Sequence, residues 1–338
     1  MSPRVSRFAP QPVVLPIGGG KGGIGKSVVA ANLALALARL EHRVILIDAD
    51  LGGSDLHNLL GLANDRPGLG EVLTSRSLGI AQVVSPALEP RLAFVPGDAM
   101  VVAAANPSFQ KKRKLLHAIS HLDADFVILD LGAGTSLTVM DFFLASPVSL
   151  VVMLPEKPAL DNAFNFLKNA VFRTLERALA GNAAGERALA GFQARGRGAG
   201  AMTLGQLLAG LESEPADLAR QARRSLARLR PKLVLNRVRR VDDFLFARQL
   251  RDWVAADLGL GLEVLGFLPE DEVNPEAAAQ GLPALDLDPR APFCQAVARL
   301  GLLLAPWSGR AAQWALHDRF EGDFERAATE FAGLVGRG

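Results

Sequence analysis

The stretch Gly18–Ser27, GGGKGGIGKS, carries more chemistry per residue than any other part of the chain. Gly20, Gly25, Lys26 and Ser27 complete the spacing G-x-x-x-x-G-K-[ST], in which backbone N–H groups close around phosphate oxygens. The expected nucleotide-binding run is Gly20, Lys21, Gly22, Gly23, Ile24, Gly25, Lys26, Ser27 and Val28. Its glycines let the backbone wrap a phosphate, and the helix that follows presents a partly positive N-terminus. Lys26 is expected to reach the β- and γ-phosphates, with the Ser27 hydroxyl on Mg²⁺. That leaves Lys21 surplus. A side chain inside the loop does not easily reach phosphates held by its own backbone. Lys21 is therefore either a solvated surface lysine or a cation aimed at the nucleotide of a partner subunit.

A phosphate loop works only where a strand ends and a helix begins, and the flanking sequence supplies both. PVVLPI (12–17) reads as a strand and KSVVAANLALALARL as the helix after the loop. Further strand candidates are RVILID (43–48), LAFVP (92–96), DFVILD (125–130), SLVVMLP (149–155), KLVLNRV (232–238) and EVLGFLP (263–269). They are nearly unbroken apolar runs, as in strands covered on both faces. Strands alternating with helices predict an α/β fold: a doubly wound, mainly parallel sheet of about seven strands with helices on both faces. The expected organisation is a disordered N-terminus (1–11), a nucleotide-binding domain (12–305) and an amphipathic helical tail (306–338). An Ala/Gly/Arg-rich insertion at about 176–231 shows no strand signal and reads as part flexible, part helical. In the tail Trp314, Phe320, Phe324, Ala328, Phe331 and Val335 fall at helical spacing.

The run Lys21–Ser27, K-G-G-x-G-K-[ST], resembles the signature loop of MinD/ParA-type ATPases. In that family the signature lysine acts across an ATP-sandwich dimer, so the resemblance implies catalytic roles for Lys21 and Lys26 and an ATP-dependent homodimer. VILIDADLGGSDLHNLLG (44–61) looks like the family's second strand and first switch. There Asp48 would support the magnesium shell and Asp50 would orient the attacking water. DFVILDLGAGTS (125–136) looks like the Walker B strand and second switch, with Asp130 near the metal. Ser27, Asp48 and Asp130 are thus the implied metal set, and Gly132 and Gly134 the implied pivots. LNRV (235–238) and GFLPEDEVNPEAAAQGLP (266–283) resemble the adenine-side segments, implying base contacts by Asn236, Pro269, Glu270 and Asp271. The likeness covers roughly residues 12–305. Within the family, LGAGTS and PEKPALDNAFNFLK are most similar to the flagellar-number regulators of the FlhG/FleN branch. Three departures stand against that: the N-terminus lacks the branch's glutamine-containing segment, the insertion is unfamiliar, and the tail has no clear basic membrane-targeting helix.

Bulk composition narrows the choices. Net charge is +2, too close to neutral to imply a nucleic-acid or membrane partner by itself. One cysteine, Cys294, excludes a disulfide framework and any Cys-rich cluster within one chain. No tyrosine is present, which argues against the family's tyrosine autokinases. The opening residues lack an apolar stretch long enough for a signal peptide, so a cytoplasmic location is expected, with peripheral contact to the inner membrane's cytoplasmic face as an option. His117 and His121 stand four apart on a helix without a third ligand, and no metal besides Mg²⁺ is expected. QKKRK (110–114) reads as a solvated helix face or as a contact for anionic lipid or DNA. Arginines 195, 197, 220, 223 and 224 offer a second basic patch.

Three functions fit these residues. The preferred one is a slow ATPase switch for spatial or numerical regulation, flagella first, with a regulatory protein partner such as a flagellar GTPase or a transcription regulator. The alternatives are a ParA-type partition ATPase that binds DNA nonspecifically, and an ATP-dependent small-molecule ligase of the same fold.

Overall fold

The structure is a computed structural model that describes residues 11–75, 77–97, 107–193, 202–212, 217–308, 329, 331 and 333. From the N-terminus its elements are β1 (Val13–Gly18), α1 (Lys26–Arg39), β2 (Val44–Ala49), α2 (Leu56–Leu59) and α3 (Leu69–Thr74). Next come β3 (Ser85–Pro86), β4 (Leu92–Val95), α4 (Phe109–Ile119), β5 (Phe126–Leu131), α5 (Leu137–Phe143) and β6 (Leu150–Met153). Four helices follow: α6 (Lys157–Leu179), α7 (Ala183–Gln193), α8 (Leu204–Glu212) and α9 (Leu218–Leu226). The chain continues with β7 (Lys232–Val238), α10 (Phe244–Leu258), β8 (Glu263–Pro269), α11 (Val273–Gln280), α12 (Ala284–Leu287) and α13 (Pro292–Leu304). All seven expected strands are present, in a mostly parallel α/β fold of eight strands. The eighth, β3, has two residues and pairs antiparallel with β4, too short to leave a periodic trace in the sequence.

The chain divides into two compact units. Of the described residues, the first takes in 25–75, 77–97, 107–132 and 271–308, with most of β1. Its strands lie in the order β3-β4-β2-β5-β1, and the β1–β5, β2–β5 and β2–β4 pairs are parallel. Helix α1 packs on β2 and β5 and is covered by α13. Its alanines permit that: a Cβ on Gly301 of α13 would lie 3.3 Å from Ala36 Cβ. Asn32, buried within α1, accepts from Leu285 N at 2.9 Å and so binds α12 to the same helix.

Of the described residues, the second unit takes in 18–24, 133–193, 202–212 and 217–270, with parallel strands in the order β6-β7-β8. Helix α6 spans 23 residues and packs against β6, α5, α7, α9 and α10. The described part of the expected insertion includes three helices, α7, α8 and α9. Leu204, Leu207, Leu208 and Leu211 of α8 are buried at i, i+3, i+4, i+7, and Leu218, Ala219, Ala222 and Leu226 of α9 at i, i+1, i+4, i+8. That stripe gives each helix a face to bury, and in α8 the burial outweighs the low helix propensity of Gly205 and Gly210. Phe331 is buried against Phe244 and Phe267, with ring centroids 5.9 and 5.4 Å away. The expected disordered residues 1–10, Arg195, Arg197, and the remaining aromatic positions of the tail lie outside the described residues.

Candidate functional site

Two apolar strands deliver two carboxylates to one spot. β2 and β5 are parallel and in a register that sets Asp48 beside Asp130 at their carboxyl ends. Both are buried, at 1% and 2% exposure. Burial, then the Asp48 charge, pushes the Asp130 carboxyl up to about 7, against a hydrogen bond from Ser27 and the positive charge of Lys26. Burial likewise raises Asp48. Asp130 Oδ1 is buried with no hydrogen-bond partner. Lys26, at 8% exposure, has its ammonium pKa lowered by burial, while Asp130 and Asp50 act to restore it. Two adjacent buried carboxylates and one lysine leave negative charge uncompensated. An orphaned carboxylate oxygen beside a serine hydroxyl is the donor set that a hard divalent cation takes. The residues present therefore fit Mg²⁺.

Asp48 also organises the segment that follows it. Its Oδ1 accepts from Asp50 N at 3.1 Å, and its Oδ2 accepts from Ser54 Oγ at 2.7 Å and Leu56 N at 3.2 Å. The loop 50–56 is thereby folded around this one carboxylate. Asp50, half-buried, accepts from Gly52 N at 3.2 Å. A Cβ on Gly132, the residue two past Asp130, would lie 2.7 Å from Asp50 Oδ1. The two segments expected to sense the phosphate thus touch at Asp50 and Gly132. Ser54 and Gly97 were not predicted as site residues. A Cβ on Gly97 would come within 2.8 Å of Ser54 Oγ and 3.0 Å of Asp48 Cγ, a long-range packing constraint with no local signature.

Along the phosphate loop Lys21, Gly22 and Gly23 are exposed and Ile24 is buried. Gly25 precedes α1 with φ of 88°, a conformation that side chains with a Cβ rarely adopt. Gly20 sits against α6: a Cβ there would lie 2.2 Å from the Asn162 carbonyl oxygen. Asn162 belongs to the PEKPALDNAFNFLK stretch, which the sequence marked by likeness rather than by this contact. Val28 borders a small hollow, of about 10 Å³, with Ala31, Asn32, Asn274 and Pro283.

The adenine-side residues are placed as follows. Asn236 is buried and donates from Nδ2 to Ile24 O at 2.9 Å, so its amide holds the phosphate loop. Pro269 ends β8, and the exposed Glu270 forms a two-point pair with Arg239, at 2.7 Å from Nη2 to Oε1. Arg239 holds the Glu270 carboxyl below its ordinary range. Asp271 accepts from Val273 N at 3.1 Å and Phe293 N at 3.0 Å, satisfying the first turns of α11 and α13. Among the described residues no cluster of three or more metal-ligating side chains of the His/Cys/Asp/Glu type occurs, and His117 and His121 simply lie together, ring centroids 4.3 Å apart. No helix among them is long and apolar enough to cross a membrane.

Comparison with known proteins adds three findings. The model of the CobQ/CobB/MinD/ParA nucleotide binding domain matches residues 15–284. The antiactivator FleN of Pseudomonas aeruginosa is 34% identical over 164 residues, 46% of this chain and 55% of that protein. The flagellum site-determining protein YlxH of Helicobacter pylori is 30% identical over 156 residues, 44% and 50% respectively. The matches span about half the length of these relatives. Among solved structures, the septum site-determining protein MinD complexed with Mg-ADP from Pyrococcus horikoshii superposes with a TM-score of 0.59 at 21% identity. It covers 86% of this chain and 94% of that one, a likeness of fold.

Proposed function

Since the chain belongs to the CobQ/CobB/MinD/ParA nucleotide-binding family, we propose that it is a slow, magnesium-dependent ATPase that uses ATP to close a homodimer. Its task is then spatial or numerical regulation, with flagellar placement or number first. The observation that carries the reading is the Asp48–Asp130 pair, buried beside Lys26 and Ser27 with one carboxylate oxygen unsatisfied.

The proposed division of labour is as follows. Ser27, Asp48 and Asp130 would hold magnesium, which would supply positive charge to the phosphate groups. Lys26 adds a fixed ammonium at the same oxygens. Asp50 accepts a hydrogen bond from the attacking water and aligns it with the γ-phosphorus. Gly132, pressed against Asp50, couples the second switch to that alignment. Lys21, exposed on the loop, reaches the nucleotide of the partner subunit. Val28, Pro269, Glu270 and Asp271 border the base, and Asn236 positions the loop from β7. The domain assignment follows: 12–305 as the ATPase domain and 306–338 as an appended tail.

The flagellar reading draws on the resemblance to FleN and YlxH, and it implies a regulatory protein partner. The DNA-binding alternative is less well supported, because Arg220 is paired with Asp217 and Arg223 with Glu212.

Titrating ATP by calorimetry with and without magnesium tests the binding half of the proposal, and steady-state phosphate release tests the other. Asp130→Asn should abolish the magnesium enhancement and slow hydrolysis by at least about tenfold, ~1.4 kcal/mol of barrier. ATP affinity indifferent both to magnesium and to Asp130→Asn would contradict the assignment.

A further inference from the structure

The end of α4 carries two imidazoles that nothing in the proposed ATPase cycle uses. His117 lies in its last turn and His121 just beyond it, both exposed, with ring centroids 4.3 Å apart. In the sequence they stand four apart with no third donor beside them. The fold brings one from 110 residues away: Gln11, two residues before β1, places its Nε2 at 2.9 Å from His121 Nε2.

Helix capping fixes which nitrogen of His121 carries the proton. The His117 carbonyl is among the last of α4 and has no partner within the helix. It lies 2.7 Å from His121 Nδ1 and accepts from Ser120 Oγ at 2.8 Å. With the Ser120 proton spent on that carbonyl, the nearby Nδ1, at 3.1 Å from Ser120 Oγ, must itself be the donor. His121 Nε2 is therefore a bare lone pair, and the Gln11 amide donates to it. A backbone carbonyl on Nδ1–H is the support that orients a metal-binding imidazole. The ring nitrogens of His117 make no hydrogen bond among the described residues. Half a turn of the Gln11 amide exchanges Nε2 for Oε1 and sets a third lone pair at the same place.

The ring spacing selects the kind of ion. With metal–nitrogen bonds of about 2.0–2.1 Å, a shared ion stands about 3.2 Å from each ring centroid. Centroids 4.3 Å apart then subtend about 85° at it. A tetrahedral angle of about 109° would need them about 5.2 Å apart. Near-right angles and imidazole donors suit Ni²⁺ or Cu²⁺. Arg113 and Lys114, one turn before His117, oppose a cation, whereas the C-terminal carbonyls of α4 favour it, so the lone pairs must carry the binding.

We infer that His117, His121 Nε2 and Gln11 Oε1 form a surface site for a divalent ion of the Ni²⁺ or Cu²⁺ type, which ties the chain ahead of β1 to the end of α4. The inference is independent of the ATPase reading, since none of the three residues belongs to the nucleotide site.

The test titrates the full chain, free of any affinity tag, with nickel chloride by calorimetry, and follows the histidine ring protons by NMR. One ion should bind per chain, and the His117 and His121 signals should broaden before those of His42, His57 and His317. His117→Gln should weaken binding at least about tenfold, and equal thermal midpoints for parent and variant separate a lost ligand from lost folding. Gln11→Ala should weaken binding about threefold. Gln11→Glu should tighten it, because a carboxylate is the stronger donor, a gain that a merely structural Gln11 would not give. Nickel affinity unchanged by His117→Gln would overturn the inference. So would broadening led by another histidine, Gln11→Glu binding no more tightly than the parent, or no binding up to millimolar nickel.

Discussion

The contact between Asp50 and Gly132 shows how little room the site leaves. A methyl group at position 132 would sit 2.7 Å from a carboxylate oxygen, well inside van der Waals contact, so Asp50 must turn away. Gly132→Ala should therefore leave ATP binding within about threefold of the parent and slow hydrolysis by at least about tenfold, ~1.4 kcal/mol. Calorimetry and phosphate release measure the two effects separately. Asp50→Ala should give the same split, with a lasting ATP complex. The sequence exposes this site unevenly. Gly20 to Ser27 are legible because the phosphate loop is local, a run whose spacing is its chemistry. Asp48 and Asp130 are legible because each ends an apolar strand. Ser54 and Gly97 are not, since their roles arise from side chains brought together across 43 residues of chain.

At the scale of elements, polar groups in the core hold helices and strands where the site needs them. Asp141 of α5 is buried and accepts from Arg173 Nε at 2.7 Å and Arg177 Nη2 at 2.5 Å, both on α6. Removing the carboxylate leaves two partly exposed guanidinium groups that water can reach, so the cost is below that of a fully buried pair. Asp141→Ala should lower stability by about 2 kcal/mol, read from the urea midpoint. Asn236→Ala would strip the Ile24 carbonyl of its buried donor and should destabilise by about 1–3 kcal/mol. ATP affinity should fall with it, because the same bond fixes the phosphate loop. Neither tie is visible in the sequence. An aspartate inside LTVMDFF has no local signal, and an asparagine at a strand end fits a base contact as well as a loop anchor. The seven long strands were legible for the opposite reason, since burial on both faces makes them apolar throughout. In the insertion, the leucine spacing of α8 and α9 carried the helices that the glycine and arginine content obscured.

For the whole molecule, the central claim is that two chains complete one another's nucleotide sites. Lys21 is exposed on the loop, whereas Lys26, the lysine proposed to hold the phosphates of its own chain, is buried. In the proposed dimer, Lys21 reaches the phosphates held by the other copy. The direct measurement is light scattering after size exclusion, on the Asp50→Ala chain so that ATP persists. Magnesium and ATP should give twice the monomer mass, ADP the monomer, and the added Lys21→Ala change the monomer even with ATP. A monomer under all three conditions, or a dimer indifferent to Lys21→Ala, would contradict the account.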